Sequence, residues 1–353
     1  MVMSGYLKQE DLAAWIDAIS ADHEVLAPQA QGNSVVFAPY VKGASLVFDR
    51  DATTSPKRSV FPQSEPLMNY TYKKDPEDLG KVDLELVEAP APKPTVVVGS
   101  RPCGARGFLA FDRVYYGKTV TDVPYLRHRQ NTAFITMACS EPETTCFCHW
   151  VGSGPDDAEG SDVLLTPVAG GYFAKAVTEK GEALLAKATV SSDAGKEDEA
   201  KAVVQKCKDA LGESPDLSTA PARLLERFDD MTFWEAMASK CISCGACTYL
   251  CPTCYCFTIT DEICGSGGSR IRSWDNCMSF QFTLEASGHN PRPTKAHRLK
   301  NRVGHKFSYY PTIHDGNISC CGCGRCIKSC PVSVDIREIV LSAMEPSQEA
   351  AND

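Results

Sequence analysis

The chain of 353 residues is 43% hydrophobic and 23% charged, which excludes a disordered protein and leaves room for two folded domains. Its formal net charge of −9 argues against general affinity for nucleic acid or anionic lipid, because both require basic surface that displaces counterions. We therefore expect a protein or a small molecule as the partner.

The amino-terminal segment predicts a helix rather than a secretory leader, since Leu7, Leu12, Trp15, Ile16 and Ile19 recur at helical spacing. No run of about 18 apolar residues occurs in the sequence, so we expect no membrane span and a cytoplasmic location. In that reducing compartment, the 18 cysteines are expected to bind metal or to carry out redox chemistry rather than to form disulfides.

The amino-terminal half contains an apolar strand at residues 95–99, a glycine-rich turn that holds Cys103, and then a helix. Cys139, Cys146 and Cys148 follow in the segment ACSEPETTCFC. These four cysteines equal the number of ligands that one iron–sulfur cluster needs, so they are candidate ligands of a third cluster. Buried structural thiols are the alternative.

An acidic connector leads to the carboxy-terminal half. A helix is predicted over residues 196–211, ending before Gly212, with Cys207 on its apolar face as a core residue. Pro221 begins a second predicted helix that leads to Cys241. The apolar stripe of this second helix consists of Leu224, Phe228, Met231 and Trp234.

Two cysteine runs with the pattern C-x2-C-x2-C-x3-C, each followed by proline, define the chemistry of this half. Three thiolates two residues apart can surround one [4Fe-4S] cluster, whereas the fourth ligates the other cluster. Cluster one is therefore predicted at Cys241, Cys244, Cys247 and Cys330. Cluster two is predicted at Cys320, Cys323, Cys326 and Cys251.

The sequence thus predicts an α+β fold in three parts. An amino-terminal α+β domain spans residues 1–190, a helical linker spans 191–220, and a helical, ferredoxin-like domain with two [4Fe-4S] clusters spans 221–353. About 70 residues separate the two cysteine runs, which exceeds the link of a minimal ferredoxin. The second domain therefore contains a large insertion.

The cysteine runs have two other interpretations. Two zinc sites of four cysteines each would more usually show pairs of cysteines separated by longer gaps. Residues 247–254 also match the C-x3-C-x2-C triad of radical S-adenosylmethionine enzymes, in which three cysteines leave one iron of a cluster open. That triad would use Cys247 and Cys251, which the ferredoxin pattern already requires.

Five further cysteines and a basic run lie in or beside the insertion. Buried thiols near the clusters are predicted for Cys254, Cys256, Cys264 and Cys277, with a further metal site as the alternative. Cys321 is predicted to be a packing residue. The basic residues are Arg292, Lys295, Arg298, Lys300, Arg302 and Lys306. Such a run is usually a solvated helix face; the alternative is that it docks an acidic partner or balances the negative clusters.

A family resemblance covers most of the chain from about Val96 onward. It rests on RPCGARGFLAFDRVYY, CSEPETTCFC followed by GSGP, CISCGACTYLCPTCYCF, RSWDNC, GHNPRPTKAHRLKNRVGHKF and CCGCGRCIKSCPVSVDI. Together these segments resemble the iron–sulfur beta subunit family of cytoplasmic sulfhydrogenase-type nickel–iron hydrogenases. The same family includes the corresponding iron–sulfur subunit of anaerobic sulfite reductase and the flavin oxidoreductases associated with heterodisulfide reductases.

The resemblance implies an electron-transfer subunit that is not catalytic alone. It would pass electrons between two partner subunits. One is a flavin-containing NAD(P)H or ferredoxin-linked subunit, and the other is a catalytic redox subunit. The absence of G-x-G-x-x-G after a strand and of G-x-x-x-x-G-K-[ST] agrees with a chain that has no nucleotide site of its own. The alternatives are an enzyme with an open-iron cluster and a free ferredoxin-like carrier.

Overall fold

The computed structural model describes residues 3–78, 80–117 and 120–346 of the chain. Its strands are β1 (Ser4–Lys8), β2 (Glu24–Gln31), β3 (Ser34–Pro39), β4 (Ser64–Lys74), β5 (Val82–Glu88), β6 (Thr95–Ser100), β7 (Thr132–Met137), β8 (Val163–Val168), β9 (Gly171–Ala176), β10 (Val190–Ser191), β11 (Phe257–Cys264) and β12 (Gly267–Trp274).

The helices follow in the same chain order. They are α1 (Leu12–Ser20), α2 (Pro102–Tyr115), α3 (Val123–Asn131), α4 (Glu179–Leu185), α5 (Ala194–Leu211), α6 (Ala220–Glu226), α7 (Met231–Ala238), α8 (Ala246–Tyr249), α9 (Lys295–Gly304), α10 (Tyr310–Ile313), α11 (Arg325–Lys328) and α12 (Ile336–Met344). A π-helical turn, His305–Tyr309, joins α9 to α10. None of the helices described is long and apolar enough to cross a membrane.

An eight-stranded mixed sheet forms the centre of the amino-terminal half, in the order β10-β1-β9-β8-β7-β6-β2-β3. The four strands β8, β7, β6 and β2 are parallel, and β6 and β7 are continuous apolar runs because both of their faces are covered. Val96 and Val98 face a core formed with Trp15 of α1 and Leu184 of α4. Val97 faces the opposite core, which contains the aromatic side chains of α2.

A second, antiparallel sheet combines the two halves of the chain in the order β11-β12-β4-β5. Arg272 of β12, only 2% exposed, donates hydrogen bonds to Glu65 of β4 at 2.8 Å and to Asp122 at 2.6 Å. The β11–β12 hairpin is part of the insertion between the cysteine runs, so the insertion pairs with strands from the amino-terminal half. The domain boundaries inferred from sequence stay a prediction.

The α+β fold class predicted from the sequence is confirmed. The predicted strand at 95–99 is β6, and Cys103 lies in the first turn of α2 rather than in a preceding turn. The predicted connector helix is α5, which ends where Gly212 adopts a φ of 74°. Cys207 is 1% exposed, as its helical pattern predicted.

The single helix expected after Pro221 is instead two helices, α6 and α7. The break is stabilised by Asp230, whose side chain accepts a hydrogen bond from the backbone N–H of Phe233 and so caps α7. Leu224 and Trp234 are fully buried, so the apolar stripe packs in the core although the helix is interrupted.

Candidate iron–sulfur centres

The ligands predicted for cluster one lie around a single small cavity; we call Cys241, Cys244, Cys247 and Cys330 set one. The first three lie between α7 and the end of α8, and the fourth follows α11. Gly245 precedes α8 with a φ of 76°, and a Cβ there would meet the Asn276 side chain at 2.8 Å. Glycine is therefore required where the chain turns back around the cavity.

The ligands predicted for cluster two also lie close together; we call Cys320, Cys323, Cys326 and Cys251 set two. The Cys251 thiolate acts to raise the thiol pKa of Cys320, Cys323 and Cys326, so the four buried side chains lie close together. Helices α8 and α11 pack together, and Gly324 precedes α11 with a φ of 68°, as Gly245 precedes α8. The two runs thus form similar loops, and each contributes one cysteine to the other's set.

Backbone amides point at the sulfur atoms of both sets. The N–H groups of Ser243, Gly322 and Val334 donate to the Sγ atoms of Cys241, Cys320 and Cys330 at 3.4, 3.5 and 3.2 Å, respectively. Hydrogen bonds to the sulfurs of an iron–sulfur cluster are one of the means by which a protein sets its reduction potential. The loops therefore fit clusters in donor type as well as in cysteine number.

Three residues of the basic run are buried, so the interpretation of the run as a solvated face is wrong for Arg298, Arg302 and Lys306. Arg298 donates to backbone carbonyls, including that of Met278 at 3.0 Å. Arg302 is 4% exposed, lines the cavity of set one, and its Nε has no hydrogen-bond partner among the described residues. A buried guanidinium whose Nε lacks a partner fits an adjacent anionic cluster.

Lys306 lies beside set two. Its Nζ is 3.6 Å from the Cys251 Sγ and donates to the Thr253 hydroxyl at 2.7 Å and to the Ser319 carbonyl at 2.9 Å. Burial raises the pKa of the Cys320 thiol to about 12, and the Lys306 charge opposes that rise. Because iron binds the thiolate, this cation favours the ligand form of the cysteine.

The four amino-terminal cysteines also lie in one region, which we call the amino-terminal set. Charge repulsion between neighbouring thiolates acts to raise the thiol pKa along this set. Cys139 acts on Cys103, Cys146 acts on Cys139, and Cys148 acts on Cys146. Arg101 forms an ion pair with Asp51 at 2.7 Å, and the thiolates of Cys103 and Cys139 act to raise the pKa of Arg101. The set combines a helix amino terminus at Cys103, the end of β7 at Cys139, and the loop that carries the other two cysteines.

This amino-terminal set abuts the second cysteine run. The Phe147 N–H donates to the Gly322 carbonyl at 2.9 Å. A Cβ at Gly322 or Gly324 would collide with the backbone of residues 145–148, so both glycines allow the close approach. Arg325 of α11 has its Nη1 3.9 Å from the Cys103 Sγ and also acts on Cys323 of set two.

The four cysteines of the insertion do not converge. Cys254, Cys256 and Cys277 line one cleft. Cys264 is exposed at the far end of β11, so the prediction of a buried thiol is wrong for this residue. Cys321 is 2% exposed, as expected for a packing residue. In the part of the chain that the structure describes, no three His, Cys, Asp or Glu side chains have the geometry for a single metal ion.

Lys57 was not predicted from the sequence: it is a buried cation that the amino-terminal half contributes to the region around the end of the first cysteine run. It is 3% exposed, donates to the carbonyls of Thr248 and Cys254 at 3.3 and 3.1 Å, and lies 4.1 Å from the Trp274 ring centre. A single lysine after a proline has no distinguishing pattern, so only the folded chain reveals its position.

These features define a class: residues 240–334 match the family model for a 4Fe-4S dicluster domain, so this is an iron–sulfur protein. Over 256 residues, the chain is 30% identical to sulfhydrogenase 2 subunit beta of Pyrococcus furiosus, a match that covers 71% of this chain and 74% of that protein. The chain belongs to the iron–sulfur beta subunit family, which confirms the resemblance found in its sequence. No solved structure matches the chain significantly.

Proposed function

We propose that this chain is the electron-relay subunit of a sulfhydrogenase-type redox complex and has no catalytic centre of its own. The observation that carries the proposal is the continuous order of the three cysteine sets. Arg302 lies between set one and set two, because it lines the cavity of set one together with Cys247, and Cys326 of set two borders the same cavity. Arg325 lies between set two and the amino-terminal set, because its charge interacts with the Cys323 thiolate and its Nη1 is 3.9 Å from the Cys103 Sγ.

Each set would hold one [4Fe-4S] cluster, which accepts and returns one electron when it is bound. For sets one and two, the proposal is supported by the dicluster match, the amide donors and the buried cations. For the third cluster, it is supported by the proximity of the four amino-terminal cysteines and by two arginines beside them. The chain's own residues position the clusters and balance their charge.

The partners would be a flavin-containing NAD(P)H or ferredoxin-linked subunit, together with a catalytic redox subunit. The name of the Pyrococcus relative, a sulfhydrogenase subunit, favours a hydrogenase-type catalytic subunit over a sulfite reductase or a heterodisulfide reductase. The cytoplasm suits the chain, since none of its 18 cysteines is in a disulfide. Its net charge of −9 supports a protein partner rather than nucleic acid.

Iron and acid-labile sulfide per chain, measured after purification without oxygen, test the cofactors. About twelve of each are expected for three clusters and about eight for two. Cys244→Ser and Cys146→Ser should each remove about four irons, from set one and from the amino-terminal set. Cys264→Ser is the matched control, because that thiol is exposed and distant from the sets. Full iron in Cys244→Ser would refute the ligand assignment.

The relay itself is tested in the complex isolated through a tag on this chain. The complex is mixed with NADPH or reduced ferredoxin and frozen at successive times for electron paramagnetic resonance. The clusters of this chain should become reduced within one turnover of the complex. If they stay oxidised while the complex turns over, the chain is not on the electron path.

A further inference from the structure

A cleft of about 450 Å³ lies beside the two ferredoxin-type sets, yet none of their eight cysteines lines it. Three other cysteines do: Cys254, Cys256 and Cys277. Its walls also include Phe257 and Phe282, together with the cations Lys306 and Arg302. The relay leaves these three thiols without a role.

The β11–β12 hairpin brings Cys256 and Cys277 together. Phe257 pairs with Trp274 at the base of the hairpin, and the Asp275 N–H donates to the Cys256 carbonyl at 2.9 Å. Cys256 directly precedes β11, and Cys277 follows the end of β12 by three residues. Both side chains line the same cleft, and each shifts the pKa of the other. Cys256 lies opposite Asp275, so Cys277 is two residues beyond the facing position, at the same end of the hairpin.

The charges around the pair favour one thiolate. The Cys277 side chain, together with the cations Lys306 and Lys57, lowers the pKa of Cys256, and the Cys256 side chain raises the pKa of Cys277. Lys57 and Lys306 have carbonyl, hydroxyl and thiol groups as hydrogen-bond partners, so their charges are not consumed by carboxylates. A thiolate beside a thiol is the reactive state for disulfide chemistry.

A short path connects the pair to cluster two of the proposed relay. Cys254 lines the same cleft as Cys256, and its backbone N–H donates to the carbonyl of Cys251 of set two at 3.4 Å. Lys306 also connects set two to the cleft, because its Nζ contacts the Cys251 Sγ at 3.6 Å and its side chain lines the cleft. Electrons on cluster two would therefore be close to the two sulfurs.

We propose that Cys256 and Cys277 are a redox-active thiol pair that stores two electrons beside the relay. Oxidation removes two electrons and the one proton of the Cys277 thiol, and it joins the two sulfurs as a disulfide. Two oxidised clusters, or one cluster in two steps, accept the electrons. In the reverse direction, two successive one-electron transfers from the reduced cluster and the uptake of one proton break the disulfide and restore the thiolate of Cys256 and the thiol of Cys277. The proposal rests on the proposed function for its electron donor and acceptor.

The test uses the full chain with its clusters, poised without oxygen at a series of potentials. Samples are denatured in excess N-ethylmaleimide, reduced, labelled with iodoacetamide and analysed by mass spectrometry. Cys256 and Cys277 should change together from maleimide to acetamide labelling as the clusters are oxidised, whereas the exposed Cys264 keeps maleimide throughout. If both residues remain thiols when all clusters are oxidised, or remain a disulfide when all are reduced, the proposal is wrong.

Serine variants separate this pair from the cluster ligands. Cys256→Ser and Cys277→Ser should each keep the iron content and cluster spectra of the parent chain but take up two fewer electrons per chain in a reductive titration. Loss of iron in either variant would make that residue a cluster ligand and overturn the proposal. Iron content and cluster spectra report on the relay, and thiol labelling reports on the pair, so failure of one is distinguishable from failure of the other.

Discussion

Replacing Lys306 by glutamine is expected to lower the reduction potential of the cluster proposed at set two. The Nζ of Lys306 lies 3.6 Å from the Cys251 Sγ, and the side chain is 4% exposed, so solvent screens its charge little. Reduction adds one negative charge to a cluster, and a nearby cation stabilises that charge. Glutamine removes the cation but keeps a donor for the Thr253 hydroxyl and the Ser319 carbonyl.

The size of the shift follows from Coulomb's law. Adding an iron–sulfur bond to the distance between Nζ and Sγ puts the charge about 6 Å from the cluster centre. At an effective dielectric constant of about 20, a unit charge at that distance interacts with the added electron by about 3 kcal/mol. For a one-electron couple, this energy corresponds to about 120 mV. The cluster proposed at set one is farther away and should shift less.

The assay is a potentiometric titration of the purified protein, followed by electron paramagnetic resonance. Lys295→Gln serves as the control, because Lys295 lies on the adjoining helix α9 and donates to the Ser239 carbonyl rather than to a group of set two. The iron content of both variants should equal that of the parent. A set-two potential in Lys306→Gln within about 20 mV of the control, at full iron content, would contradict the proposed charge balance.

Three further changes test the cysteine sets and the packing around them. Cys330→Ser should lose about four irons and the signal of the set-one cluster, whereas Cys321→Ser should keep both; equal iron in the two variants would exclude crossed ligation. Gly324→Ala should cost about 1–3 kcal/mol in anaerobic urea unfolding and release iron from the amino-terminal set, since its φ is 68°; unchanged stability would contradict the close approach. Glu65→Gln should cost about 3 kcal/mol by leaving Arg272 buried with one carboxylate fewer, and an unchanged urea midpoint would argue against this ion pair.

The cysteine runs show which features a local pattern can predict. The C-x2-C-x2-C spacing is short enough that the covalent chain itself holds three thiols around one space, and the structure has the four cysteines of set one lining a single cavity. The strand β6 and the helix α5 were predicted for a similar reason, because apolar runs, helical spacing and Gly212 act over a few residues. The break between α6 and α7 was not predicted, because the apolar stripe of the sequence continues across it.

Sequence by itself determined the family, the α+β class and the predicted ligands of two clusters, since each of these depends on residues near one another in the chain. Tertiary structure alone decided that β12 pairs with β4, that the amino-terminal set lies against the second run, and that Lys57 and Arg302 are buried beside thiols. Each of these contacts joins segments far apart in sequence. The burial and pairing that create them have no local pattern.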